Sequence, residues 1–158
     1  SDPKAADYIV RTLMERREKV LRVWLNGVLP IVEPVLNGSG FSFRNAAIDA
    51  GVAPADVAYD VSWYAFDNAT GAHRRAGEAV RAAPGGRVAL PPALAREAFV
   101  MAAVASSGGS AGWRHPARVY FKRDGGGWAL VGLERHHAAL PAGETPSAAG
   151  RSTLSRRR

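Results

Sequence analysis

Cysteine is absent from this chain, which excludes disulfides, thiolate nucleophiles and Cys-ligated zinc, and leaves the redox compartment unreadable. A chain of 158 residues does not need such staples, because one domain of that size buries roughly 70% of its extended-chain surface on folding. Long apolar runs are absent too. Ala98 to Ala105 falls far short of the roughly 20 residues that cross a bilayer, and the first residues lack a signal-peptide pattern. The expectation is a soluble chain with no membrane span. Its abrupt start at Ser1-Asp2-Pro3 reads as part of something longer.

Lysine is scarce: arginine outnumbers it 18 to 3, within a formal net charge of +7. Residues 1–140 hold 17 Lys and Arg against 13 Asp and Glu, a net of +4, and residues 141–158 add +3 through four arginines against Glu144. A mildly basic body with a charged tail is the pattern of a solvated surface rather than of a nucleic-acid footprint. The tail itself, rich in Pro, Ala, Gly, Ser and Arg, has no periodic apolar pattern. It is read as disordered, because it cannot bury enough surface to offset the entropy of ordering.

What is present begins with an amphipathic helix. Ile9, Leu13, Val20, Leu21, Trp24 and Val28 recur at helical spacing, with Asp7, Arg11, Glu15, Glu18, Lys19 and Arg22 on the other side. Glu15/Lys19 and Glu18/Arg22 stand in the favoured acid-first i,i+4 order, about 0.3 kcal/mol each. Asp2-Pro3 starts the helix, and Asn26-Gly27 followed by Pro30 ends it. The stripe predicts that Trp24 lies between this helix and a sheet.

Strand signals follow. Val35-Leu36 and Phe41-Ser42-Phe43, flanking Asn37-Gly38-Ser39-Gly40, predict a hairpin, and Val57 to Phe66 alternates as a strand before a turn at Asp67 to Gly71. Ala46 to Ala58 reads as a helical turn and a connection, Ala72 to Ala83 as a strand or a short helix, and Phe99 to Ala105 as a buried strand. Arg118 to Arg123 and Trp128 to Leu133, joined through Asp124-Gly125-Gly126-Gly127, predict a last hairpin. In it Val119 and Phe121 face the core while Arg118 and Lys122 face water. The expected fold is mainly β, an antiparallel sandwich-like domain over residues 31–140, with the helix of residues 1–30 packed on it and a tail over 141–158.

Few constellations could carry chemistry. Gly108-Gly109-Ser110-Ala111-Gly112 matches the G-x-S-x-G nucleophile elbow, but that elbow needs a helix after its serine and here Trp113-Arg114-His115-Pro116 leads to another strand. Ser110 is therefore read as part of a flexible connection, with a small serine hydrolase as an alternative. The histidines are His73, His115, His136 and His137. On a strand Glu134 and His136 share a face that His137 does not, and neither HExxH nor HxxEH occurs, so no metal or cofactor is expected. Asp67 to Gly71 is read as a satisfied turn rather than a calcium loop, and Asn68-Ala69-Thr70 is a bare glycosylation sequon. Most aromatics sit at core periodicities. Trp113, beside a Gly/Ser loop and next to Arg114 and His115, is the exception, so these three are the candidate ligand-binding residues.

The succession of the RREKVLRVWL helix, the FSF hairpin, YDVSWYAFDNATG and VYFKRDGGGWALVGLER, over about residues 5–137, resembles in layout the non-catalytic C-terminal β-rich accessory domains of large bacterial secreted or envelope enzymes. The resemblance implies an accessory role: packing on an adjacent domain of a larger chain, or binding a protein or polysaccharide partner. It implies an extracytoplasmic location if the parent protein is secreted. A basic nucleic-acid binder is the further alternative.

Overall fold

The computed structural model describes residues 3–82, 85 and 87–135. Helix α1 runs Pro3–Gly27 and is followed by an antiparallel hairpin of β1 (Ile31–Asn37) and β2 (Gly40–Asn45). Pro34 is accommodated because β1 carries a bulge between Val32 and Val35, where Glu33 takes a φ of 49°. An interrupted ladder is where a residue without an N–H can sit.

A single turn of helix, α2 (Ala46–Asp49), leaves the hairpin. Its N-cap is the buried Asn45, whose Oδ1 accepts from the amides of Ala47 and Ile48 while its Nδ2 donates to the Tyr59 hydroxyl at 2.9 Å. The cap ties the hairpin to the larger sheet. Burial raises the Tyr59 pKa, keeping that phenol neutral as the acceptor.

Strands β3 (Ala58–Phe66), β4 (His73–Arg75), β5 (Val80–Ala82), β6 (Phe99–Ser107), β7 (Ala117–Asp124) and β8 (Gly127–Glu134) form one antiparallel sheet. Its order is β4-β3-β6-β7-β8, and β5 pairs with β3 beyond β4. The segment legible as strand or helix thus resolves into two short edge strands. The fold is mainly β with an N-terminal helix, as the sequence predicts.

The pleat divides this sheet into two faces. One carries Tyr59, Val61 and Trp63, then Val100, Ala102 and Val104, then Ala117, Val119 and Phe121, all buried. The β1–β2 hairpin covers it: Phe41 meets Trp63 and Phe121 edge-on at centroid distances of 5.6 and 5.8 Å, and Phe43 meets Tyr59 at 5.1 Å. Such pairs add about 0.5–1.5 kcal/mol each beyond area burial. Gly40, at φ 112°, lets the hairpin approach Val88, since a Cβ there would stand 2.8 Å from the Val88 carbonyl oxygen.

The helix corrects one expectation. Trp24 is 74% exposed, and Ile9, Leu13 and Val20 are also open to solvent, so the apolar stripe does not lie against the sheet. Only Leu21 and Leu25, in the last turns, pack at the edge of the core. Periodicity reveals a face but not what covers it, and α1 docks by its C-terminal end.

Candidate functional site

Residue type singles out one place, and the structure adds a second. The first is the Gly/Ser connection after β6. Gly108 and Gly109 take positive φ and lead into a 3-10 turn at Ala111–Arg114, for which Ser110 is the N-cap. Ser110 Oγ donates to the Asn26 carbonyl at 2.7 Å and accepts from the Gly112 amide at 3.4 Å. Trp113 is 1% exposed, and its Nε1 donates to the Leu25 carbonyl at 2.9 Å. Both residues therefore satisfy carbonyls of the last turn of α1, which otherwise lack intrahelical donors.

The glycines are the reason the fit is possible. A Cβ on Gly109 would stand 2.3 Å from the Trp113 ring, and one on Gly112 would stand 2.3 Å from the Asn26 oxygen. The G-x-S-x-G pattern is thus a helix dock, not the flexible connection read from sequence. Ser110 leaves β6 into a single 3-10 turn, and its donated hydrogen bond goes to a backbone carbonyl, where a nucleophile's would go to a base.

Arg114 and His115 are exposed beside this dock. Trp113 and Arg114 line a shallow depression of about 350 Å³ with Ser106 and Ser110, and His115 does not border it. The three candidate ligand-binding residues thus do not face one space. His136, His137 and the tail of residues 141–158 lie outside the described residues. Among the described residues no three His, Asp or Glu side chains gather as a metal site. The Asp67 turn is satisfied: its Oδ1 accepts from the amides of Ala69 at 2.8 Å and Thr70 at 3.3 Å, which lowers its pKa.

The second place is the other face of the six-stranded sheet, which sequence reading passed over. Register aligns Tyr64, Met101, Tyr120 and Gly132 across four strands, with Phe66, Phe99 and Lys122 on one side of that row and Arg118 and Glu134 on the other. A cleft of about 710 Å³ opens there, walled by Phe66, Phe99, Met101, Val131 and Tyr120. Gly132 leaves space over Tyr120, where a Cβ would come within 3.3 Å of the ring.

Three polar groups converge at one end of the cleft. The Tyr120 hydroxyl donates to Glu134 Oε2 at 2.7 Å, and the Arg118 guanidinium stands 3.9 Å from the same oxygen. The Arg118 side chain is only 12% exposed, against the expectation that it faces water. Alternation placed it correctly opposite the core, but the neighbouring strands shelter that face as well. Burial, then the bond to Glu134, pushes the Tyr120 pKa up to about 12, so the phenol is a neutral donor across the physiological range. Lys122 at the rim supplies a second cation.

An alternating strand pattern carried the signal for this face. Arg118, Tyr120 and Lys122 share it by period two, but their convergence with Glu134 depends on the β7–β8 register, including its irregularity after Tyr120. Comparison with protein-family models, with curated proteins and with solved structures finds no match for this chain.

Proposed function

We propose that this chain is a non-catalytic binding module, an accessory sandwich-like domain of a larger bacterial protein, and that the open-face cleft is its ligand site. The observation that supports this reading is the cleft's composition: apolar and aromatic walls with a few convergent polar groups, the makeup of small-molecule sites. Arg118 at one end and Lys122 at the other outnumber the one carboxylate of Glu134, so the cleft favours an anionic ligand with an apolar body, its charged end at Arg118. Glu134 and Tyr120 hold the guanidinium in place, and Phe66, Phe99 and Met101 receive the body. An arylalkyl carboxylate is the simplest molecule of that class.

The test is a titration with 4-phenylbutyrate followed by amide chemical shifts. Shifts are expected at Phe99, Met101, Tyr120 and Val131, with binding about tenfold weaker in Arg118→Gln, since a charge-assisted contact supplies about 1.5 kcal/mol or more. Absence of saturable shifts on this face up to millimolar probe would refute the ligand class. Equal binding of 4-phenylbutylamine would refute the role given to the cations.

A further inference from the structure

We infer that α1 is a membrane-surface helix, one that lies flat on an anionic lipid bilayer without crossing it. At about 100° per residue, Ile9, Val10, Leu13, Met14, Val20, Val23 and Trp24 fall within an arc of about 180°, and every one of them is more than half exposed. Among the described residues no helix is long and apolar enough to span a membrane. A helix with a broad apolar face, abundant Lys and Arg and low mean hydropathy instead settles in the interface plane, its apolar side among the acyl chains.

The breadth of the face and the charge choose the occupant. A helix–helix seam uses the narrow stripe of two positions in seven, whereas the exposed apolar residues of α1 spread over half its circumference, which suits a plane. Lys4, Arg11, Arg16, Arg17, Lys19 and Arg22 stand against Asp7, Glu15 and Glu18, giving α1 a net +3. Two such helices repel each other, while an anionic leaflet attracts them. Arg16 and Arg17 fall inside the apolar arc, where long cationic side chains reach out to headgroups and leave their stems among the acyl chains. Trp24 suits the same boundary.

The domain does not obstruct this arrangement. It grips the helix through Leu21 and Leu25 and through the Ser110 and Trp113 hydrogen bonds, and those leucines lie about 70° and 110° around the helix from the middle of the exposed arc, but about 120° and 160° from the middle of the part that carries Ile9, Leu13, Val20 and Val23. A surface tangent to that part of the arc therefore leaves the β-domain on the aqueous side.

Flotation with vesicles tests the inference, using phosphatidylcholine with or without about one-third phosphatidylglycerol. Binding is expected on the anionic vesicles and to be weaker on the order of a hundredfold on the neutral ones, from about three net cationic contacts near the surface. It should be lost in the doubly substituted Leu13→Glu, Val20→Glu chain, and weakened by half-molar salt. Both sites are exposed, so near-UV circular dichroism should be unchanged. Arg16→Glu with Arg17→Glu, which leaves every apolar side chain in place, should lower anionic binding at least tenfold. No flotation with anionic vesicles, flotation insensitive to Leu13→Glu with Val20→Glu, or a dimer in solution that those substitutions dissociate would each overturn the inference.

Discussion

Trp113→Ala should detach α1 from the β-domain, with a cost that can be worked from the contacts. The ring is fully buried over Gly109, and its Nε1 donates to the Leu25 carbonyl. Removing a buried tryptophan costs about 3–5 kcal/mol, and the lost hydrogen bond contributes about 1 kcal/mol of stability. A total near 4 kcal/mol is expected, since part of the second contribution is already within the first. Urea unfolding followed by far-UV circular dichroism, with a slope of about 2 kcal/mol per molar, should show the midpoint falling by about 2 M. Trp113→Phe keeps most of the apolar volume but loses the donor, so its cost should be about 1–2 kcal/mol. Ser110→Ala removes the neighbouring donor to Asn26 and should cost about 1 kcal/mol. The Trp113–Ser110 double substitution should be non-additive, because both act on one helix end. A loss below about 1 kcal/mol in Trp113→Ala at unchanged slope would mean that the ring does not anchor the helix, and would refute the dock.

Three further outcomes are expected. Gly112→Ala places a Cβ 2.3 Å from the Asn26 oxygen and 2.7 Å from Gly27, so it should raise hydrogen exchange across α1 while leaving β6 and β7 protected; unchanged helix exchange would refute the close approach. Trp24→Ala, at a side chain 74% exposed, should change stability by less than about 0.5 kcal/mol, and a loss near 3 kcal/mol in the urea midpoint would restore the helix–sheet interface expected from the stripe. Tyr120, held neutral in the fold to about pH 12, ionises near pH 10 when unfolded, so its contribution to stability is complete below about pH 10 and lost as pH rises towards 12. Beside the raised Tyr59, ultraviolet titration should show a phenol ionising near the upper end that is lost in Tyr120→Phe; a Tyr120 midpoint at the ordinary value would contradict the shielded bond to Glu134.

Local patterns were enough for the elements and for one face of the sheet. The amphipathic period marked α1, Gly38-Ser39 between apolar arms marked the β1–β2 hairpin, and alternation put Val119 and Phe121 inside, where they are 0% and 1% exposed. These properties depend on neighbours two to four residues away. Other features depend on what packs against them from far along the chain. Trp24 shares a stripe with Leu13, yet the dock that holds the helix comes from Ser110 and Trp113, more than 80 residues on. The sequence around Ser110 resembles an elbow or a loose loop, whereas in the fold its hydroxyl donates to the carbonyl of Asn26. Arg118 and Tyr120 lie on one strand and Glu134 on another, and only the register of β7 with β8 brings all three to one carboxylate oxygen. Side-chain periodicity thus determined which residues share a face, while the tertiary structure alone decided which faces are covered, because burial is set by contacts between segments that the sequence does not place side by side.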